Sequence, residues 1–379
     1  MKQRPIIAIV CDVIYPYSRG GRELRYHELL PRLTEHADIH VYTMHWWDGP
    51  TTYSDGGITY HAISQLFPLY TDNRRSVISA LRFGLACLRL LRCNFDVLEA
   101  DHIPYFQVFV LRAVATLKRK PFIATWHEVW TRSYWRHYLG WPGLAAWAIE
   151  WLAMRLPDHI IAASPETAER LQGVIRKRTS ITTVPNGIDL DAIRTSHPDA
   201  NISDLVFVGR LISHKRVDML LDVVHLMRKR GFDITCRIIG DGPERAALQE
   251  RTRRLGLTRA VDFCCDVAEQ KEVYAFVKSS RLFVSLSVRE GFGIAILEAI
   301  ACGIPVLTTS CPDNLSQHLV ARYSQGIVCG SELEAVAAAV ERTLAESAEQ
   351  SDDRYRTDSW LADYDWGAMT DRLLSVYLR

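Results

Sequence analysis

The chain has 379 residues, 48% of them hydrophobic and 23% charged, which excludes a disordered chain and is too long for one ordinary core. Nine cysteines with no CxxC spacing, two of them adjacent at Cys264 and Cys265, argue against a disulfide framework and a cysteine-ligated metal, and a reduced, cytoplasmic setting is expected. The net charge is only +1, no nucleic-acid partner is expected, and no stretch reaches the ~20 apolar residues of a membrane span.

In chain order, the run PIIAIVCDV (5–13) reads as a first buried strand rather than a signal peptide. The loop Tyr15-Pro16-Tyr17-Ser18-Arg19-Gly20-Gly21 joins it to a helical stretch, RELRYHELLPRL, and its two glycines read as a flexible turn between strand and helix. The segment RRSVISALRFGLACLRLLR carries Arg75, Arg82 and Arg89 at heptad spacing, with Arg92 nearby. It reads either as a packed helix with one solvated arginine face or as a basic stripe that lies on an anionic membrane. Further strand-like runs cover 39–44, 95–101, 121–127 and 159–164. The third of the first-half runs ends at Asp101-His102, and the fourth ends at His127 and Glu128, so these polar groups share one rim. Six tryptophans crowd residues 126–151; most are expected in helix packing, with a sugar platform or a lipid interface as the alternative.

The turn VPNGID (184–189) reads as the domain boundary. It separates a first domain, 1–185, from a second, 186–358, and the helical tail 359–379 is expected to cross back onto the first. Asp189-Leu190-Asp191 follows this turn and starts a helix, so capping accounts for it better than a metal grip. The halves differ in charge: residues 1–185 carry 22 Lys+Arg and 16 Asp+Glu, and residues 186–379 carry 23 and 28. They are expected to meet different ligands.

The second half repeats the alternation, with runs at 204–210, 235–242, 261–267, 281–287 and 305–311. Apolar runs without polar alternation are strands buried on both faces, so each half is α/β, a Rossmann-like doubly wound domain with a parallel sheet. Ligands then collect at the carboxyl ends of the strands. There the stretch Glu290-Gly291-Phe292-Gly293 leads into a helix that carries Glu298. Bare N–H groups at such a turn suit phosphate. Glu298 lies five residues on, ~7.5 Å along the axis, a suitable reach for ribose hydroxyls while a diphosphate sits on the turn. Glu290 precedes the turn and suits a sugar hydroxyl. Gly209-Arg210 ends another strand and Lys215 follows, a cation pair placed to clamp a diphosphate.

GRLISHK, GDGPERAAL and EGFGIAILEAIACGIPV together closely resemble the retaining glycosyltransferases of family four, which have the GT-B fold of two Rossmann-like domains facing a cleft. VPNGID resembles that family's hinge. The resemblance implies that Arg210 and Lys215 bind the donor diphosphate, and that Glu290 and Glu298 bracket the donor at sugar and ribose. It implies that backbone at Gly209, Gly291, Phe292 and Gly293 also lies against the donor, with Gly20 and Gly21 approaching it from the first domain. His127 would lie over the donor sugar as a catalytic residue with Glu290, Arg210 and Lys215; Asp101, His102 and Glu128 would lie on the acceptor side. The implied reaction moves a hexose-type sugar from a UDP- or GDP-sugar to a hydroxyl of a glycan, lipid-linked or small-molecule acceptor. No metal and no further cofactor is implied. The strand end that helps seat the base reads Phe263-Cys264-Cys265 in place of the frequent F-x-G, and Leu286-Ser287 stands for a frequent Pro-Ser. Rival readings are an epimerase or phosphorylase on the same fold and a catalytically silent glycan-binding protein. A dehydrogenase is a third, but GDGPER lacks the last glycine of G-x-G-x-x-G. Peripheral contact of the first domain with the inner membrane face is a further expectation.

Overall fold

The computed structural model describes residues 4–18, 20–71, 74–175, 179–265, 267, 269–349 and 358–378, so Arg19 lies outside the described residues. The chain divides into two compact units, one formed by Met1–Asn186 with Trp366–Arg379 and the other by Gly187–Asp365.

The first unit is built on β1 (Ile6–Val10), β2 (Asp38–Met44), β3 (Thr52–Asp55), β4 (Ile58–Ser64), a small hairpin of β5 (Tyr70–Thr71) and β6 (Arg74–Arg75), β7 (Val97–Asp101), β8 (Phe122–Trp126), β9 (His159–Ala162) and β10 (Ser180–Thr183). Its main sheet has the order β10-β9-β8-β7-β1-β2-β4-β3. Every pairing is parallel except the β3–β4 hairpin. Ile7 stands opposite both Ile39 and Val97, so apolar residues line up across three strands. Helix α1 (Gly21–Leu33) follows β1; α2 (Val77–Ala86) runs into a 3-10 helix (Cys87–Arg92); α3 (Tyr105–Lys118), α4 (Arg132–Leu139), α5 (Gly143–Ala153) and α6 (Pro165–Val174) follow. Polar caps set several starts: Ser164 Oγ accepts from Thr167 N at 3.0 Å with Pro165 in the first turn, and Ser76 and Thr131 cap α2 and α4. Phe83 of α2, Leu111 of α3, Ala153 of α5 and Leu171 of α6 share one core against one face of the sheet. Leu29 of α1 shares the opposite core with Met369 and Leu373 of the C-terminal helix (Trp366–Tyr377).

The tail therefore does not move as a block. Its 3-10 turn, Ser359–Tyr364, buries Leu361 and Tyr364 in the second unit's core beside Ile188 and Phe292, and only the helix Trp366–Tyr377 belongs to the first unit. That helix is fastened through a buried carboxylate. Glu99 of β7 accepts hydrogen bonds from Tyr26 at 3.0 Å, from Thr125 at 2.5 Å and from the Tyr377 hydroxyl. Burial raises the Glu99 pKa, opposed by the Thr125 hydrogen bond, the Arg25 charge and the Tyr26 hydrogen bond. Tyr377→Phe removes one donor from a buried acceptor, which should cost ~1–2 kcal/mol of unfolding free energy in urea titration; an unchanged midpoint would show that the hydroxyl adds nothing there.

The second unit carries β11 (Ser203–Val208), β12 (Cys236–Ile239), β13 (Val261–Cys264), β14 (Ser280–Ser285), β15 (Arg289–Glu290), β16 (Val306–Thr309), β17 (Asp313–Asn314) and β18 (Gly326–Cys329). Its sheet, β13-β12-β11-β14-β16-β18, is parallel throughout. Counted along this unit alone the order is 3-2-1-4-5-6, doubly wound with its reversal between β11 and β14. Helices α7 (Leu190–Thr195), α8 (Val217–Lys229), α9 (Arg245–Arg254), α10 (Gln270–Lys278), α11 (Ile294–Ala301), α12 (Gln317–Arg322) and α13 (Leu333–Glu349) cover the two faces. Asp189 Oδ1 accepts from Ala192 N at 2.8 Å and so caps α7, while the Asp191 side chain is exposed. No helix among the described residues is long and apolar enough to cross a membrane.

Candidate functional site

In the second unit the candidate residues gather at the reversal point of the sheet. Gly209 and Arg210 follow β11, and a 3-10 turn, Ser213–Lys215, presents Lys215. The chain from β14 returns through Arg289-Glu290, and Val288 N donates to His214 O at 2.9 Å, which binds the two loops together. Close backbone packing shapes this edge. A Cβ on Gly240 would come within 2.1 Å of Gly209 O, and one on Gly242 within 2.4 Å of Leu211 O, which explains glycine at both positions of GDGP. Gly293 has φ +91 and caps α11, and a Cβ there would lie 2.8 Å from the Ser316 Cβ. Glycine is thus required twice over at the start of the helix, by conformation and by space.

Lys215 and Glu290 form a direct ion pair, with each side chain about one-fifth exposed. Expectation had set them on different parts of a ligand; the structure brings them onto each other. His214, next to Lys215 in the 3-10 turn, has its pKa brought down to about 3 by burial and by the positive charges of Arg289, Lys215 and Arg210. Three cations therefore bear on His214, and sequence reasoning had found only two. Arg289 was missed because it sits next to the more conspicuous Glu290. Glu298 is buried within α11, where its Oε1 accepts from Gln270 Nε2 at 2.9 Å and from Tyr274 OH at 3.0 Å. Burial first, and then the Glu298 charge, pushes the Tyr274 phenol far up, so it stays protonated and donating. Phe292 is buried in the same core as α11.

In the first unit the order of parallel strands reverses between β1 and β7, and the polar candidates lie at that edge. Asp101 and His102 are sealed from solvent, with His102 packed 4.9 Å from the Trp126 ring and 5.6 Å from the His127 ring. Both side chains are buried at this strand edge, which leaves their expected acceptor-side role without an exposed surface. The physical role visible for them is support. Asp101 Oδ2 accepts from Arg22 at 2.8 Å, Oδ1 accepts from Ile103 N at 3.0 Å, and His102 Nδ1 lies 3.2 Å from Oδ1. His127 Nε2 is 3.9 Å from Asp101 Oδ2. Burial pushes the Asp101 carboxyl up, but the Arg22 charge and the His102 hydrogen bond outweigh it and hold it well below the usual range. Burial holds His127 well below the usual histidine pKa despite Asp101, so its imidazole is neutral.

The donor atoms of Asp101, His102 and His127 all lie within 4.8 Å of one another, a metal-like spacing. The Arg22 guanidinium donates to the Asp101 oxygen nearest His127. Arg22 also lies 3.8 Å from buried Asp12, which pairs with Arg75. Arg75 therefore points to the end of β1 and leaves the expected heptad stripe. Neither Arg22 nor Asp12 was singled out from the sequence; each carries an ordinary local signal, and only the fold brings them together. A Cβ on Gly20 would meet Glu23 Oε2 at 2.3 Å, so the Glu23 carboxylate closes on this loop ahead of Gly21, the first residue of α1. Glu128 is half-buried in the loop after β8.

Comparison with known proteins bears on what such a pair of units is. The description "Glycosyltransferase Family 4" matches residues 19–192, and "Glycosyl transferases group 1" matches residues 193–358. The chain belongs to the family-four glycosyltransferases. Its fold is GT-B: a sucrose-phosphate synthase from Thermosynechococcus elongatus superposes with a TM-score of 0.78 at 15% identity, covering 99% of this chain and 98% of that one. The Anabaena protein HepE, solved with UDP and glucose, superposes with a TM-score of 0.72 at 15% identity, covering 98% and 99%. Among curated relatives, the Mycobacterium tuberculosis GDP-mannose-dependent alpha-(1-6)-phosphatidylinositol dimannoside mannosyltransferase is 29% identical over 140 residues, 35% of this chain and 36% of its own. The chain spans only about a third of the length of the first curated relatives it matches. In family-four terms, the turn at Glu290–Gly293 and the cations before α8 lie in the group-1 region, and Asp101 and His127 lie in the other.

Proposed function

We propose that the protein is a retaining glycosyltransferase that moves a hexose-type sugar from a UDP- or GDP-sugar to a hydroxyl acceptor. The observation that carries this reading is the glycine turn that opens α11 at the reversal point of the second sheet, with the Lys215–Glu290 ion pair packed against Gly293. A diphosphate placed there meets the Lys215 ammonium and the bare N–H groups that begin α11, with the charges of Arg210 and Arg289 that depress His214 in the same loops. Glu298, steadied by Gln270 and Tyr274, is placed for ribose hydroxyls, and Glu290 for a sugar hydroxyl. A neighbour of the same fold solved with UDP and glucose supports a nucleotide-sugar donor.

In the proposed reaction the bond between the sugar's anomeric carbon and the diphosphate oxygen breaks, and a bond from that carbon to the acceptor oxygen forms on the same face. The acceptor's proton passes to the departing phosphate oxygen, and nucleoside diphosphate is released. The chain's task is to stabilise the leaving charge and hold the sugar in place. His127, kept neutral and held beside Asp101, is the group of the first unit assigned to the transferred sugar, and Glu128 is the more exposed of the acceptor-side candidates.

The test is calorimetric titration with UDP- and GDP-sugars, followed by transfer assays in which released nucleotide and the anomeric configuration of the product are read together. Binding of neither nucleotide sugar would end the proposal, and an inverted product would end its retaining part. Because protein cations meet the phosphate charge, EDTA should leave transfer within about twofold of its starting rate, a change well under 1 kcal/mol in barrier. A rate abolished by EDTA and restored by Mg²⁺ or Mn²⁺ would mean that a metal does part of this work.

A further inference from the structure

We propose that the outer face of the α2–α3–α5 helical layer of the first unit docks on an anionic lipid bilayer. Its starting point is a helix that is apolar on both sides. Ser79, Phe83, Cys87 and Leu90 of α2 and the following 3-10 helix turn inward and are buried. The opposite row, Val77, Leu81, Leu85 and Leu88, has spacings of four, four and three residues and faces outward, with Val77 and Leu85 about 60% exposed. A solvent-facing row at this period is ordinarily polar. Here the polar groups flanking the leucines are arginines: Arg82, Arg89 and Arg92, all exposed. Arg82 stacks over Phe67 and Arg89 donates to Ile63 O, and no carboxylate among the described residues pairs with any of the three.

The same character continues across the layer. Helix α3 packs on α2 and on α5. Leu117 near its end is 72% exposed, and Lys118 Nζ donates to Leu91 O, which joins this end of α3 to the arginine-bearing stretch. Helix α5 contains one ionisable side chain, Glu150, and that one is buried, accepting from Trp130 N and the Trp135 indole. What α5 and the turn before it leave outside is Trp141, 82% exposed, with Trp151 and Leu152. Arg155 lies 3.5 Å over the Trp151 ring. Segments 74–95, 102–120 and 129–156 hold five, four and three arginines and lysines, and their only acidic residue is the buried Glu150.

Charge decides the occupant. A second copy meeting this face across a two-fold axis would set like-charged arginines around the same buried leucine row, without counter-ions. A bilayer answers every part of the pattern. Acyl chains take the leucines, the tryptophans suit the interfacial zone, and lipid phosphates meet the guanidiniums. The inference stands apart from the donor reading, which concerns the other unit.

The experiment is flotation of the full chain with vesicles of phosphatidylcholine alone and of phosphatidylcholine with phosphatidylglycerol, at low and high salt. Binding is expected to the anionic vesicles, weaker in high salt. Arg82→Gln with Arg92→Gln should lower partitioning on the order of thirtyfold. Leu81→Gln with Leu85→Gln should lower it at least about tenfold. All four side chains are exposed, and equal melting temperatures check the fold. Should a variant unfold, quenching of the native chain's tryptophan fluorescence by brominated-chain lipids gives a readout without those substitutions, expected to weaken in Trp141→Phe. No binding, equal binding to neutral vesicles, or variants that bind as the native chain does would each overturn the proposal. So would a dimer lost in the leucine variant with no vesicle binding, which would give the face to a second copy, or capture of an acidic protein in place of vesicles.

Discussion

Lys215→Ala is expected to weaken nucleotide-sugar binding and slow transfer by roughly tenfold to somewhat over a hundredfold, the loss of one charge-assisted contact of ~1.5–3 kcal/mol to a buried phosphate. Arg210→Ala should act in the same direction by a smaller factor. The difference comes from Glu290. Lys215 pairs with that carboxylate, so removing the ammonium does two things at once. It takes a cation from the phosphate and leaves Glu290 uncompensated beside incoming negative charge. Removing Arg210 takes away one of the charges that depress His214 and leaves the Lys215–Glu290 pair in place. A double variant, Lys215→Ala with Glu290→Gln, should therefore bind bare nucleoside diphosphate more tightly than Lys215→Ala alone. Calorimetric titration of the four proteins reads all of this. Unchanged donor affinity and rate in both single variants would remove the clamp from these residues.

Much of this arrangement could be read along the chain. Apolar runs without alternation announced parallel strands, and EGFG before an apolar helix announced a turn suited to anions. The glycines of GDGP carried a local signal too, though the structure supplies the reason, a carbonyl of the neighbouring β11 loop within 2.1 Å of where a Cβ would be. What could not be read was pairing across sequence distance. The Lys215–Glu290 contact joins residues 75 apart, and the Arg22–Asp101 contact joins residues 79 apart. Charges of this kind look alike in sequence whether they meet each other, a ligand or solvent. Depth was equally hidden: a histidine at a strand end reads the same whether it is His127 at the rim or His102 beneath it. Periodicity also failed on α2 and the 3-10 helix after it, where apolar side chains occupy both faces and no pattern tells the inner from the outer. The tail was read as one piece because its helical pattern runs on across Asp365, where buried Tyr364 and Trp366 nevertheless belong to different cores.

The two glutamates should separate cleanly in kinetics. Glu298 is held by Gln270 and Tyr274 in the body of α11, a fixed acceptor suited to a ribose that changes little during reaction. An interaction equal in ground and transition states moves KM, and one that strengthens at the transition state moves kcat. Glu298→Gln should raise donor KM and weaken bare nucleoside diphosphate as well. The amide keeps one carbonyl oxygen to accept from Tyr274 and Gln270, so the substitution removes the charge and the second acceptor oxygen while leaving the steadying contacts. Glu290 faces the sugar in the proposed complex, where positive charge grows as the bond to phosphate breaks. Glu290→Gln should therefore lower kcat. Because it releases Lys215 from its partner, it should leave nucleoside diphosphate affinity unchanged or raise it. The measurement is steady-state kinetics for both variants together with calorimetric titration of the nucleotide. If Glu290→Gln loses diphosphate affinity as badly as Glu298→Gln, the carboxylate is not acting on the sugar. If neither variant changes kcat, KM or affinity, the donor does not lie on this turn at all.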